Sequence, residues 1–400
     1  MAARSSSWFV AMPFALLLLV LCAPAHAEDN PLLEGTPGDG LPVLVSSDGN
    51  FTVRALGYVQ PRVVFFDGGK SDDSHPLVAG DPNDRPGFKI RRGRFGIAGQ
   101  LGKPFRYKVM VGASSHFDSL DRTVRPDTEE FAVLDAYMEW VPCQHFQVRA
   151  GGQKVPFGGQ QTQSSAGLAL VERATVAEHI APSYDVGVRL HGTIAGPQNV
   201  FAPDGISWFV GAYSGDGSVM TPDDNLGLLW VGRLTVAFGD DLGWSESALG
   251  ETGFGLRIGG GAAFNFERES RDQMFGADLL LKVWRVSLRG EYLTAKRVPS
   301  YQGTEDPVFP EQFRRHGYLT QLGFMIVPDH LELAFRHDYY DDDLDDEDDY
   351  SAIRNFGGGV NVFFLDGRVK IQVDYLHRYE AGDVTGLKND TLLAQATLVL

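Results

Sequence analysis

Two arginines, Arg92 and Arg94, stand two residues apart in Phe88-Lys89-Ile90-Arg91-Arg92-Gly93-Arg94-Phe95. Side chains two apart on a β-strand share a face, so this spacing sets two guanidinium groups in line. A guanidinium stays charged and can grip a phosphate or carboxylate through two parallel hydrogen bonds. Arg106 and Lys108 repeat the spacing, and the same parity gathers Arg149, Arg189, Arg233, Arg257, Lys282, Arg289, Arg336 and Lys370 on the polar faces of later segments. The matching carboxylates are Asp135, Glu139, Asp185, Asp278, Glu291, Glu332, Asp338 and Asp374. Twelve cations against eight carboxylates make a mixed face with a basic excess. Fixed charges in such ladders hold and select ions without making or breaking bonds. A plainer reading has these cations only neutralise the carboxylates opposite.

Bond chemistry finds little support. The chain has no G-x-S-x-G elbow, no H-E-x-x-H pair and no ordered Ser/His/Asp set. His116, His179, His191 and His337 are scattered. The reading is therefore of a protein that is not an enzyme and needs no cofactor and no metal. A formal net charge of −17 argues against nucleic acid, because phosphate binding needs a basic face.

Period two dominates the elements that carry these charges. Phe105, Tyr107, Val109, Val111 and Ala113 alternate with Arg106, Lys108, Met110 and Gly112, and Val369 to Tyr375 repeats the pattern. Sixteen strands are predicted: 51–66, 88–101, 104–115, 131–141, 145–152, 184–195, 206–214, 228–238, 253–266, 274–283, 285–296, 316–327, 329–340, 353–365, 367–379 and 390–400. Strands of soluble proteins usually have about 5–6 residues, whereas roughly 9–11 tilted residues cross a bilayer. Long connections at 67–87, 116–130, 153–183, 297–315 and 341–352 alternate with short turns at 102–103, 142–144, 327–329 and 366–367. Long loops on one rim, short turns on the other and an even strand number predict an all-β, transmembrane antiparallel barrel. The turns 196–205 and 239–252 are longer than that scheme prefers. Phe95, Trp140, Trp208, Trp230, Phe264, Phe324 and Tyr375 lie near strand ends, where aromatic rings form interfacial girdles.

The start of the chain agrees with export. Arg4, an apolar run to Leu21 and Ala25-His26-Ala27 read as a cleaved signal over 1–27. Residues 28–50 then form an N-terminal periplasmic segment, and 51–400 the barrel, placed in the bacterial outer membrane and in contact with its lipid.

From Phe88 onward the chain resembles the phosphate-selective porin O/P family. Its F-x-x-R-R strand matches Phe88 to Arg92, and Asp135-Ala136-Tyr137 with Glu139 is similar to its "DAY-x-E" strand. Gly151-Gly152-Gln153-Lys154-Val155-Pro156-Phe157-Gly158 resembles its entry to the third surface loop, and Ser164-Ser165 followed by Val171-Glu172-Arg173 resembles a later part of that loop. Gly290-Glu291-Tyr292, Gly317-Tyr318, Leu331-Glu332-Leu333 and Val373-Asp374-Tyr375 match later strands. The resemblance implies a 16-stranded barrel assembled as a homotrimer, with the third loop folded into the lumen as a constriction. It also implies passive diffusion of small anions, in some members phosphate or polyphosphate, along ladders of Arg and Lys. Arg91 is out of phase with Arg92 but close enough to a loop to reach the rim. Lys154, Glu172 and Arg173 fall on the constriction loop, the last two expected to pin it.

The alternative is a general or cation-tolerant pore with no phosphate preference. The eight inward carboxylates suit it, as does the acidic run Asp341–Asp349, which could focus cations at the mouth or bind divalent ions. A solvated surface loop is the plainer reading of that run.

Overall fold

The computed structural model describes residues 43–67, 87–114, 130–194, 201–217, 219, 227–250, 252–267, 270–299, 312–342, 344, 352–380 and 390–400. Residues 1–27, 28–42 and most of Asp341–Asp349 lie outside them, so the signal, the greater part of the leading segment and the body of the acidic run stay as sequence readings.

Sixteen antiparallel strands close on themselves. They are β1 (Thr52–Asp67), β2 (Gly87–Gln100), β3 (Phe105–Ser114), β4 (Glu130–Cys143), β5 (Phe146–Lys154), β6 (Tyr184–Ile194), β7 (Phe201–Tyr213) and β8 (Leu229–Gly239), followed by β9 (Thr252–Phe266), β10 (Ser270–Trp284), β11 (Val286–Pro299), β12 (Phe313–Val327), β13 (Leu331–Asp341), β14 (Ala352–Phe364), β15 (Val369–Glu380) and β16 (Thr391–Val399). Each pairs with its neighbour in sequence, and β16 pairs with β1 from Thr391↔Asp67 to Val399↔Tyr58. Closure leaves no unpaired edge, which is what lets a sheet live in hydrocarbon. A two-residue strand, Leu44–Val45, adds to the start of β1.

The alternation becomes two surfaces. On β2, Phe95 and Ile97 point out and are exposed, while Arg92, Arg94 and Ala98 are buried. On β13, Glu332, Ala334, Arg336, Asp338 and Tyr340 are buried, and Phe335 is exposed. Of the seven girdle aromatics expected, all but Trp208 are clearly exposed, and Trp208 is half-buried. Turns at one rim are tight: between β14 and β15, Leu365, Asp366 and Gly367 all take positive φ (51°, 54° and 83°), a conformation that glycine adopts without strain. The wide connections of the opposite rim mark it as the extracellular side.

One register break matters for the site. Gln60 pairs with Arg92 but Pro61 pairs with Ile90, leaving Arg91 as the extra residue of a β-bulge. The bulge cancels the phase difference, so Arg91 and Arg92 are both buried on the inner side. Arg91 therefore reaches the lumen through the backbone and not merely by lying near a loop.

Candidate ion pathway

The third extracellular loop, between β5 and β6, runs inside the barrel. It contains one helical turn, α1 (Gly159–Thr162), a 3-10 turn at Ser165–Gly167 and α2 (Thr175–Ile180). Its backbone groups cannot all bond to one another, and inward side chains of the wall supply the partners. Glu291 accepts from the amides of Gly159 and Gln160 at 2.9 and 2.8 Å. Asp374 accepts from the Val171 amide at 2.7 Å. Arg336 donates to the Glu172 carbonyl at 2.7 Å, Asn361 to that of Ala169 at 2.7 Å, and Lys370 to that of Leu168 at 2.5 Å. The apolar side of the loop packs Val155, Phe157, Val176 and Ile180 against Ala263, Met274, Leu293 and Leu319 of the wall. Gly359 gives Leu170 its room, since a Cβ there would sit 2.3 Å from Asp374 Oδ1 and 2.8 Å from Leu170 Cδ2. Gly359→Ala should therefore overpack this seam by about 1–3 kcal/mol. A drop in the temperature at which the barrel loses its heat-modifiable migration checks it, and an unchanged midpoint would show that the seam yields freely.

Glu172 fastens the loop to the bulge. Its carboxylate lies 2.6 Å from Arg62, 2.6 Å from Arg91 and 2.6 Å from Arg92. Burial works against its charge, but Arg62, Arg91 and Arg92 together hold the carboxyl well below the usual range. Arg173 donates to the Gln160 and Gln163 carbonyls and pairs with Glu178 at 3.3 Å, stiffening the loop from within.

A second segment enters from the periplasmic rim. The connection between β8 and β9 turns inward and buries Leu242, Ser245, Glu246, Ser247 and Ala248. Lys282 donates to its Leu242 and Ser245 carbonyls at 2.5 and 2.8 Å, and Ser247 donates to Glu332 at 2.6 Å. Glu246 is the joint between the two intrusions. It accepts from the Ala169 amide at 2.9 Å and from Gln160 at 3.0 Å on the loop, and from Gln321 at 2.8 Å on the wall. Arg289 lies 3.0 Å from it. Burial again opposes the charge, and Arg289 with these donors keeps the carboxyl lowered.

These contacts divide the expected lumen cations in two. Arg91, Arg92, Lys282, Arg289, Arg336 and Lys370 are engaged in holding the loop and the inward turn. Arg94, Arg106, Lys108, Arg149, Lys154, Arg189, Arg233 and Arg257 line an open cavity of ≈ 550 Å³ beside β1 to β9. Among the described residues, only Asp135, Glu139 and Asp241 contribute carboxylates to that lining. Lys108 pairs with Asp135 at 3.0 Å. Glu139 takes Arg149 at 2.7 Å, His191 at 2.9 Å and Arg106 at 3.9 Å. Arg149 also lies 4.0 Å from the Tyr137 ring, and Arg233 is shared between Asp278 at 2.7 Å and the Phe157 carbonyl at 2.6 Å.

Arg94 sits in a different setting. It donates to the Tyr184 hydroxyl at 3.1 Å and lies 5.5 and 5.7 Å from the rings of Tyr58 and Tyr184. Its Nε has no hydrogen-bond partner among the described residues. Lys154, 5.6 Å from the Tyr184 ring, donates to the Gln161 and Gln163 carbonyls at 2.9 and 2.8 Å. Arg94 is held by aromatic faces and a neutral hydroxyl, with no carboxylate of the described residues in hydrogen-bond contact, which keeps its positive charge on offer to the cavity.

Sequence reasoning missed Arg62, which strand parity places on the inner face with Tyr58 and Gln60, and Glu246, which has no local signal. It also missed the buried Arg297–Asp272 pair at 2.6 Å.

Residues 70–254 match the family model described as phosphate-selective porin O and P. No curated protein matches the chain in sequence. Among solved structures, the outer membrane channel DcaP of Acinetobacter baumannii aligns with a TM-score of 0.55 at 11% identity, over 89% of this chain and 99% of that one. Pseudomonas putida OprB aligns at 0.54 and 9% identity, over 88% and 94%. The trimer form of in-vitro folded OmpT, an outer membrane protein of Vibrio cholerae, aligns at 0.51 and 10%, over 88% and 99%. At such identities the likeness speaks for the shared barrel fold.

Proposed function

We propose that this chain, a porin of the bacterial outer membrane carrying the phosphate-selective porin O and P pattern over residues 70–254, passes small anions by passive diffusion, phosphate among them. The observation that carries this reading is the lining of the open cavity, where eight Arg and Lys side chains meet three carboxylates. Fixed charge at a narrow place lowers the barrier for the opposite ion and raises it for the like one. The loop and the inward turn fill the side where buried carboxylates such as Asp278, Glu291, Glu332 and Asp374 lie, and these accept loop amides, the Ser247 hydroxyl of the inward turn and the Arg233 cation. They are spent on structure, which leaves the pathway more basic than the wall as a whole.

Within the lining, Arg94 is the residue assigned to phosphate. A transient oxyanion needs donors that are not already committed, and a guanidinium ringed by tyrosines provides them at low desolvation cost. Assembly as a homotrimer is part of the same proposal, supported by the resemblance and by the trimer form among the aligned barrels.

The test is the zero-current potential across a potassium chloride gradient in a planar bilayer, followed by titration with phosphate. Chloride preference with millimolar phosphate block is expected, and Arg94→Ala should weaken that block by about tenfold or more, the worth of one or two charge-assisted hydrogen bonds. Cation preference without block would instead establish a general pore governed by the acidic outer loops, of which Asp341 and Asp342 are the described part.

A further inference from the structure

Three of the cavity's arginines lie in one row across the wall. Arg106 on β3 is the register partner of Glu139 on β4, Glu139 is the partner of Arg149 on β5, and Arg149 of Arg189 on β6. All four side chains line the cavity, toward the periplasmic ends of their strands. Side chains directly opposite on neighbouring strands interact, and like charges in that position repel. Arg149 and Arg189 are such a pair, so the single carboxylate of the row carries weight.

Glu139 is shared by groups from three strands. Its Oε1 accepts from Arg149 Nε at 2.7 Å and from His191 Nε2 at 2.9 Å, and its Oε2 lies 3.9 Å from Arg106. His191 reaches it from β6, two residues beyond Arg189 and therefore on the same inner face. Phe209 on β7 is the register partner of His191 and backs both side chains. Its ring stacks on the imidazole with centroids 5.9 Å apart and planes 12° from parallel, and it lies 5.3 Å from the Arg189 guanidinium. The imidazole is thus fixed in place, at the edge of the cavity and in contact with the row's only carboxylate.

The charge of the row then depends on one proton. Three guanidinium groups against one carboxylate leave a net charge of +2 beside a neutral imidazole, and an imidazolium makes it +3. A carboxylate only accepts, so His191 Nε2 carries a hydrogen in either state and the added proton goes to Nδ1. The contact to Glu139 therefore persists while the charge changes. Glu139 of β4 favours that added charge, and Arg149 of β5 and Arg189 of β6 oppose it. Histidine is the side chain whose ordinary titration falls between pH 5 and 8, where the arginines stay charged.

We propose that His191 is a selectivity-setting residue of the pore: on taking up a proton it adds a positive charge to the Arg106–Glu139–Arg149–Arg189 row and strengthens the preference for anions. Acidification therefore raises chloride over potassium, and alkaline solution lowers it. The proposal rests on the reading that ions pass through this cavity. It concerns which ions cross, not how wide the passage is.

The zero-current potential of the full-length pore across a potassium chloride gradient would be measured from pH 8 to pH 5. In this range Glu172, whose carboxyl is held well below the usual values, keeps its charge. The chloride-to-potassium permeability ratio of wild type is expected to rise about twofold or more, the effect of one unit charge a few ångströms from a passing ion in a screened aqueous pore. His191→Gln should hold one ratio throughout, because glutamine donates to Glu139 but takes up no proton. His191→Lys should hold a raised ratio throughout. If His191→Lys does not fold to a heat-modifiable barrel, the comparison of wild type with His191→Gln decides alone. A constant wild-type ratio, or the same rise in wild type and His191→Gln, would overturn the proposal. The anion reading is tested separately by the sign of the potential. Chloride preference that ignores pH ends only the role of His191, whereas potassium preference with a rise confined to wild type upholds that role and ends the anion reading.

Discussion

Glu172→Gln is expected to produce the largest change in the pore. The substitution keeps the shape of the side chain and removes the one negative charge shared by Arg62, Arg91 and Arg92. The three guanidinium groups are almost wholly buried and would then face one another across a neutral amide. Removing one partner from a buried ion pair typically costs about 3–5 kcal/mol, because the remaining charge is stranded in a poor solvent. Here the strain can relax only by moving the loop, since the arginines are fixed on the strands around the bulge. A raised and noisier single-channel conductance should accompany a lowered heat-modification midpoint. Conductance identical to wild type would mean that the loop is held by its other contacts and that Glu172 is dispensable to pore size.

The same carboxylate predicts a pH response. Its folded pKa is depressed, so its contribution is fully present above the ordinary glutamate value of about 4.3 and is lost as pH falls below that value toward the folded pKa. Acidification should therefore open or destabilise the wild-type pore in that lower range. The Glu172→Gln variant should be flat across it.

How much of this could be read beforehand depends on which contacts are local. All sixteen strands were legible, because alternation is imposed residue by residue by the pleat and by what lies on each side of it. β10 and β12 begin three to four residues earlier than the pattern placed them, and β7 begins at Phe201 where a turn was expected. Those differences fall at polar strand ends, where alternation fades before pairing does. Inward parity was also correct for Arg94, Arg189 and Arg289, each buried. The roles of these side chains were not legible. Arg92 and Arg94 look equivalent on one strand, yet one is committed to Glu172, eighty residues away, and the other to tyrosines. A bulge at Arg91 has no clear signature in Ile90-Arg91-Arg92, since it is set by how Gln60-Pro61 pairs across the strand. The connection 239–252 showed only an odd length. Nothing within it says that Glu246 will meet Gln160 and Arg289, because those partners come from the loop and from β11.

That joint leads to the second large effect. Glu246→Gln should uncouple the inward turn from the constriction loop. The glutamate is buried and serves the Ala169 amide, Gln160, Gln321 and the Arg289 cation at once. A glutamine retains one acceptor oxygen but presents an NH₂ where donors already converge, and it leaves Arg289 uncompensated. A loss of about 3–5 kcal/mol is again the scale for a buried charge losing its partner. The more telling outcome is in combination. Glu172 on the loop and Glu246 on the inward turn both fasten that loop, so each substitution alone leaves the other grip to limit how far the loop moves. Residues that share one mobile element do not act independently. The double variant should therefore raise conductance by more than the two single changes multiplied together. Simple multiplicative behaviour would show that the inward turn and the loop move separately, and that the constriction has two independent walls instead of one cross-braced plug.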